Sequence, residues 1–358
     1  MRFEAFHLRI PLRTSFGHAA STRSESELVL VAAQDDHGNV GWGEALPRPY
    51  VTGETIDEVV MIHLPRLLGR WHEPTSFAEV VAALRAQLDE VGYALATFGA
   101  VELALLDVAG KRFGVPLAEV LGGMKGPELP AGSVIGFEIA TDQLERHCAK
   151  LRFGGRKHIK LKVGADDDEA RMAAVAKVFK DLPIRIDANA AWSADDALQR
   201  LRVLARFPIA WVEEPCADRD ADGMRRIREA LGLRVMADES VCTLGDLERL
   251  IAARAIDVVN VRLGKMGGVL GSARICERAR QAGIALALGT MVGETGVLSR
   301  AAEVFGRCVP GFDHLDGKGQ NAFLLSEDIL DPDAEPPRDD APGLGITVSR
   351  ARIDTLLA

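Results

Sequence analysis

From about residue 131 the chain repeats one pattern: a short apolar strand, then a helical stretch. The strands read as Ala131–Glu138, His158–Gly164, Ile184–Ala190, Ile209–Pro215, Arg234–Ser240, Val258–Lys265, Ile284–Thr290 and Phe312–Asp316. Helical spacing fills Asp166–Lys180, Ala194–Phe207, Leu244–Arg254 and Gly268–Gly283 between them. Strand-end positions keep the period: Lys162 to Asp187 is 25 residues, Asp187 to Glu213 is 26, and Glu213 to Asp238 is 25. Asp238 to Lys265 is 27, Lys265 to Thr290 is 25, and Thr290 to Asp316 is 26. Eight βα units of nearly constant length predict a closed parallel barrel. The last helix is weakly marked, which points to a modified (β/α)7β form. A doubly wound open sheet is the alternative, but no G-x-G-x-x-G follows a strand and no P-loop is present.

Residues 1 to about 125 read differently, as strands first and helices after, which suggests an α+β domain. Phe3–Pro11, Glu27–Gln34 and Val40–Glu44 alternate as half-buried strands do, with a turn at Asp35–Asn39. Thr55–Leu68, Phe77–Glu90 and Tyr93–Phe113 have helical spacing. The expected domains are therefore 1–125, a barrel over 126–325, and a C-terminal segment, 326–358, returning to the first domain. Residues 328–343, rich in Asp and Pro, read as a surface excursion.

Composition narrows the function. A net charge of −9 argues against a nucleic-acid surface, since phosphates demand a basic face. No apolar run approaches the ~20 residues of a membrane helix, and the N-terminus lacks a signal-like stretch. A cytoplasmic protein without membrane partners is expected. The five cysteines are scattered with no C-x-x-C pair and read as buried free thiols.

The chemistry lies at the strand ends. In a parallel barrel these face one mouth, where a polar side chain reads as catalytic. H-I-K-L-K-V-G supplies Lys160 and Lys162, I-R-I-D-A-N supplies Asp187 and Asn189, W-V-E-E-P supplies Glu213 and Glu214, M-A-D-E-S supplies Asp238 and Glu239, and R-L-G-K-M-G-G supplies Lys265. Alternation puts Lys160 and Lys162 on one face, the barrel interior. Buried lysines need anions nearby, and Asp187, Glu213 and Asp238 on the next three strands could supply them. Three carboxylates also form a hard-oxygen site suited to Mg2+, or Mn2+. The lysines flank the carboxylates, with Lys162 before them and Lys265 after. A lysine at ~10.4 must be depressed to act as a base, and burial, a second lysine and a cation all push that way. The arrangement suits removal of a proton next to a metal-held carboxylate. A structural ion-pair network is the competing reading, but this much buried charge is expensive to fold without a function.

These residues resemble the enolase superfamily, in its muconate lactonizing enzyme subgroup, over essentially the whole length. K-x-K, D-A-N, E-E-P, A-D-E-S and the lysine before M-G-G carry the likeness. Lysine bases with magnesium are the general pattern of such sites. The resemblance implies an N-terminal capping domain on a modified barrel and Mg2+ on Asp187, Glu213 and Asp238. It implies Lys162 and Lys265 as acid/base groups on opposite faces of the substrate, and Lys160 beside the substrate carboxylate. Asn189 and Glu239 would orient ligands and Lys265; at Glu214 the family often carries Gln. Two segments match its specificity loops, Arg13–His18 and Tyr50–Glu54, which makes His18 and Tyr50 candidate substrate contacts. The relatives form homo-oligomers, so one is expected here.

The subgroup includes racemases, dipeptide epimerases, cycloisomerases and o-succinylbenzoate synthases, and the shared site does not separate them. Dipeptide epimerases carry Asp-x-Asp at the eighth strand for the substrate ammonium; here the match is His314-Leu315-Asp316, and only Asp316 survives. At the seventh strand Thr290 and Met291 are further candidate contacts. Gly289-Thr290-Met291 resembles cycloisomerases, while Glu294 stands one place later than the Glu of many racemases. The leading expectation is racemisation or epimerisation of an amino-acid derivative or dipeptide. A cycloisomerase or β-eliminating synthase is the alternative, and a barrel that binds a ligand without turnover a third.

Overall fold

The computed structural model describes residues 1–18 and 21–358, with side chains left undescribed over 15–22. Eight short strands close a parallel barrel: β4 (Ala131–Ile135), β5 (Ile159–Lys162), β6 (Ile184–Asp187), β7 (Ile209–Glu213), β8 (Val235–Ala237), β9 (Val258–Val261), β10 (Ala285–Leu288) and β11 (Leu315–Asp316). They follow one another round the barrel, and β11 pairs back to β4. Ile, Leu and Val dominate the outward positions because helices cover the outer face. Among the described residues seven α-helices link the eight strands; after β11 come the short Gln320–Phe323 turn and then Arg350–Thr355, whose end lies along the N-terminal sheet, so no helix closes the last unit and the barrel is of the (β/α)7β form. Side-chain caps start several of these helices. Ser193 accepts from Asp196 N (3.2 Å), and Thr243 forms a capping box with Asp246.

The N-terminal unit is a three-stranded antiparallel sheet, β1 (Arg2–His18), β2 (Ser21–Gln34) and β3 (Val40–Ala45), packed on the buried Leu95–Phe113 helix. The first hairpin is much longer than the alternation indicated. Its outer part is exposed over Leu12–Thr14 and Ser24–Glu25 except for half-buried Leu12, so it carries no hydrophobic period to read. The expected Thr55–Leu68 helix is three pieces: Ile56–Glu58, a π-helical turn Val59–His63, and Leu64–Leu68. Pro65 cannot donate a helical bond, and Leu64 N reaches back to Val59 O instead. The C-terminal residues lie along β1, where Arg9 N donates to Leu356 O (3.0 Å) and Ala358 N to His7 O (2.9 Å).

Contacts between the two units bring the N-terminal loops to the barrel mouth. Val51 O accepts Arg219 Nη2 (2.6 Å) and Cys242 Sγ (3.3 Å), and Ser26 Oγ donates to Gly293 O (2.6 Å). Among the described residues no helix is long and apolar enough to cross a membrane, and all five cysteines are buried and free.

Candidate active site

One cavity of about 310 Å3 opens at the mouth, and Lys160 and Lys162 from β5, Asp187 from β6, Glu239 after β8, Arg262 after β9 and Asp316 from β11 bring charge to its wall; Glu213 and Asp238 lie beneath it. Lys160 and Lys162 project inward from β5, as alternation requires. Lys160 Nζ donates to Glu213 Oε2 (2.9 Å) and lies 3.5 Å from Asp316 and 3.6 Å from Asp187. Burial disfavours its charge, but Glu213, Asp316 and Asp187 outweigh that and hold the ammonium above the ordinary lysine value. Lys162 Nζ donates to Asp187 Oδ2 (2.7 Å) and to Asn189 Oδ1. Burial would raise the Asp187 carboxyl, yet Lys162 and Lys160 bring it down to about 2.

Asp238 follows β8 directly. Arg262 and Lys265 both face its carboxylate, Lys265 at 3.1 Å. Lys265 is not at a strand end as expected. β9 stops at Val261, and Lys265 closes a 3-10 turn, Leu263–Lys265. Its ammonium is fully buried and donates to the carbonyls of Asp238 and Val241 (2.7 Å to the latter). Burial lowers this amine to about 8, against the pull of Cys242 and Glu239. Lys162 lines the cavity; Lys265 does not, and Arg262 lines it on that side.

Asn189 Nδ2 donates to Glu239 Oε1 (3.4 Å), and burial next to Glu214 and Asp187 raises Glu239 to about 7. Glu214 accepts from Asp238 N (2.8 Å), Ser240 N (3.2 Å) and Ser240 Oγ, so it braces the A-D-E-S turn rather than the cavity. Asn189 and Glu214 hold positive φ (46° and 38°), uncommon for such residues and concentrated where chemistry is done.

Several expected contacts fall elsewhere. Met291 is 3% exposed and packs in the core, while Val292 lines the cavity. Thr290 does line it, donating to Asp316 O (2.9 Å) and accepting from Gln320 Nε2 (2.7 Å). Asp316 lines the cavity, but both its oxygens are taken by Arg185 (2.6 and 2.9 Å). Burial opposes the Asp316 charge; Arg185 and Lys160 hold the carboxyl well below its usual range. Asp316 is therefore not a free counter-ion for a substrate ammonium. Tyr50 is half exposed at the rim, with the Arg23 guanidinium 5.8 Å over its ring. The His18 side chain lies outside the described residues.

Sequence reasoning passed over Arg185, Asn260 and Arg262. Arg185 stands two residues before Asp187 and so shares its inward face, a signal available in I-R-I-D. Asn260 Nδ2 donates to Glu213 Oε1 (2.9 Å) from the inward face of β9.

Among the described residues no three His, Cys, Asp or Glu side chains converge on a point that would hold a metal. The candidate carboxylates are instead turned on to lysines and Arg262. The donor set still fits a hard divalent cation. Both Asp238 oxygens, Glu239 Oε2 and Asn260 Oδ1 are buried without a hydrogen-bond donor of proper geometry, and oxygens of this kind suit Mg2+ or Mn2+.

The chain matches the enolase C-terminal domain-like family over residues 143–352 and the mandelate racemase / muconate lactonizing enzyme N-terminal domain over residues 2–122. It is 30% identical to an N-succinyl-L-Arg/Lys racemase of Bacillus cereus, over 84% of this chain and 83% of that protein. It is 28% identical to the o-succinylbenzoate synthase of Bacillus subtilis, over 96% and 93%. The solved dipeptide epimerase of Enterococcus faecalis, complexed with Mg and the dipeptide L-Leu-L-Tyr, superposes with a TM-score of 0.84 at 25% identity, over 96% of this chain and 98% of that one. The chain belongs to the enolase superfamily, in its mandelate racemase / muconate lactonizing enzyme subgroup, and is one of its isomerases.

Proposed function

We propose that this enzyme removes the proton α to the carboxylate of an N-acylated amino acid and returns it from the opposite face, racemising or epimerising that carbon. The observation that carries the reading is the placement of the two lysines. β5 and β9 stand four strands apart in a ring of eight, so Lys162, at the end of β5, and Lys265, in the turn after β9, belong to opposite sides of the ring, and the strands that lead to Asp187, Glu213 and Asp238 come between them. Asp187, Glu213 and Asp238 would hold Mg2+ or Mn2+, which when bound spreads the negative charge that develops on the substrate carboxylate. Lys160 adds a fixed positive charge beside that carboxylate. Lys162 takes or gives the proton on one face, held by Asn189; Lys265 does so on the other, its charge disfavoured by burial. Tyr50 and Thr290 line the substrate space.

Asp316 decides the substrate class within this reading. A free α-ammonium needs an uncommitted carboxylate at the eighth strand. Here the first position is His314, and the second, Asp316, is bound by Arg185. This supports an acylated nitrogen over a dipeptide with a free amine.

One observation favours a second reading. Lys265 is sealed from the cavity while Lys162 opens into it, as a cycloisomerase or an o-succinylbenzoate synthase-like elimination with a single base would have it. Lys162→Ala and Lys265→Ala separate the two. Racemisation predicts that both variants lose turnover, each retaining solvent-deuterium exchange of one enantiomer only. Loss of all proton transfer in the Lys162 variant, with exchange of both enantiomers kept in the Lys265 variant, would contradict it.

A further inference from the structure

The buried carboxylate of Glu102 reaches out of the N-terminal unit into the segment that carries Lys265. Lys265 is followed by Met266, Gly267 and Gly268, and the helix Gly268–Gln281 begins there. A helix start leaves amide N–H groups without acceptors, which Ser, Thr, Asp or Asn usually supplies from the N-cap position. Here the N-cap is Gly267 and supplies nothing. Glu102, on the Leu95–Phe113 helix, does so across the domain boundary. Its Oε2 accepts from Val269 N (2.6 Å) and its Oε1 from Leu270 N (2.9 Å).

The glycines are what let this happen. Gly267 and Gly268 both hold left-handed φ (71° and 75°). A Cβ on Gly268 would collide with Glu102 Oε2, and one on Gly99, a helical turn before Glu102, would stand 3.0 Å from Gly268 N. Leu88 and Leu95 close over Gly267. The lysine itself is held at its far end by the carbonyls of Asp238 and Val241. One end of Lys265 is therefore set by the barrel. The backbone at the other end is set by the N-terminal unit.

We infer that Glu102 is a positioning residue for Lys265: the N-terminal unit, besides lending loops to the mouth, fixes the backbone from which one of the two bases projects. This rests on the proposed role of Lys265. Lys162 has no such dependence, since it stands within β5 between β4 and β6. The two bases should accordingly answer differently to one substitution.

Glu102→Gln keeps the size but replaces one acceptor oxygen with a donor facing an amide N–H. Asp107→Asn is the control. Asp107 is equally buried on the same helix and accepts from Trp42 N (3.0 Å) and Leu344 N (2.8 Å), away from Lys265. The first readout needs no substrate: amide hydrogen exchange of residues 266–271, followed by mass spectrometry. The expected result is exchange at least about tenfold faster in Glu102→Gln, where the amides lose their acceptor, and unchanged in Asp107→Asn. Protection unaltered by Glu102→Gln would overturn the inference.

The second readout is α-proton exchange of each enantiomer of N-succinyl-lysine by the Mg2+-loaded enzyme in deuterated buffer. A base displaced by about 1 Å can lose up to about 100-fold in rate. Glu102→Gln should slow the enantiomer that depends on Lys265 by about 10- to 100-fold and leave the other within about twofold, KM being little changed. Equal slowing of both enantiomers would mark a merely structural role and refute the inference. Lys265→Ala identifies which enantiomer depends on Lys265. If that variant exchanges both, the two-base reading fails on its own account, whatever Glu102 does. If Glu102→Gln does not fold, Glu102→Asp, which keeps the carboxyl group on a shorter arm, should show the same one-sided loss, and a symmetric loss there would count against the inference.

Discussion

Asp316→Asn separates two roles for the residue at the end of β11. Asp316 is 5% exposed and Arg185 3%, and they share two hydrogen bonds of 2.6 and 2.9 Å. Asparagine keeps the shape and removes the charge. The Arg185 guanidinium then stays buried without its anion, with the Lys160 ammonium close by. Removing one partner of a buried pair costs about 3–5 kcal/mol, much more than the ~0–1 kcal/mol of an exposed pair. Lys160 keeps Glu213 at 2.9 Å and Asp187 at 3.6 Å, so the damage centres on Arg185. Replacing both partners by apolar residues, Arg185→Met with Asp316→Leu, should recover most of the loss, because no uncompensated charge remains. Urea unfolding followed by tryptophan fluorescence measures this, and Trp211, 5.8 Å from the Arg185 guanidinium, is a local reporter. A cost under about 1 kcal/mol for Asp316→Asn would refute the argument. So would a double variant no more stable than the sum of the singles. If the single variant kept its stability and lost only affinity for a cationic substrate, Asp316 would be the ammonium ligand after all.

Two further outcomes follow from the same geometry. Asp238→Asn should weaken Mn2+ binding, read by titration calorimetry, by at least about tenfold, the lower end of what loss of even a supporting group does at metal sites; unchanged affinity would remove Asp238 from the ligand set. Burial raises the Glu44 carboxyl to about 7 and that of Glu102 to about 8, against an ordinary 4.5. The folded state then holds protons that the unfolded chain has released, so stability should fall as pH rises from about 4.5 to about 8 and level off above. Thermal midpoints across that range test this, and Glu102→Gln should flatten the slope.

The barrel was legible because its signals are local and repeated. Each strand is a short, mostly apolar run, four of the eight (β5, β6, β7 and β11) end in a charged residue, and the spacing hardly varies. The same regularity places Asp187, Glu213, Asp238, Lys160 and Lys162 at or beside strand ends. What stayed hidden depends on contacts distant in sequence. Nothing near Asp316 tells that Arg185, 131 residues away, occupies both its oxygens. Nothing in K-M-G-G tells that Glu102, 167 residues before Val269, caps the helix after Lys265. Met291 is expected at the mouth but turns to the core, because a residue after a barrel strand can go either way; the missing side chain of Gly264 leaves the room that Met291 fills. The extension of the β1–β2 hairpin beyond Pro11 was missed because the described residues there, Arg13, Thr14, Ser24 and Glu25, are exposed and leave no apolar period.

The most direct test of metal-assisted α-proton abstraction is exchange in deuterated buffer. The enzyme would be incubated with Mg2+ and a pool of N-acyl amino acids and dipeptides, α-proton signals followed by NMR, and a chelated sample run beside it. N-acyl compounds should lose their α-proton signal only when metal is present, and dipeptides with a free amine should keep theirs. Exchange that survives chelation, or is confined to the free-amine dipeptides, would contradict it.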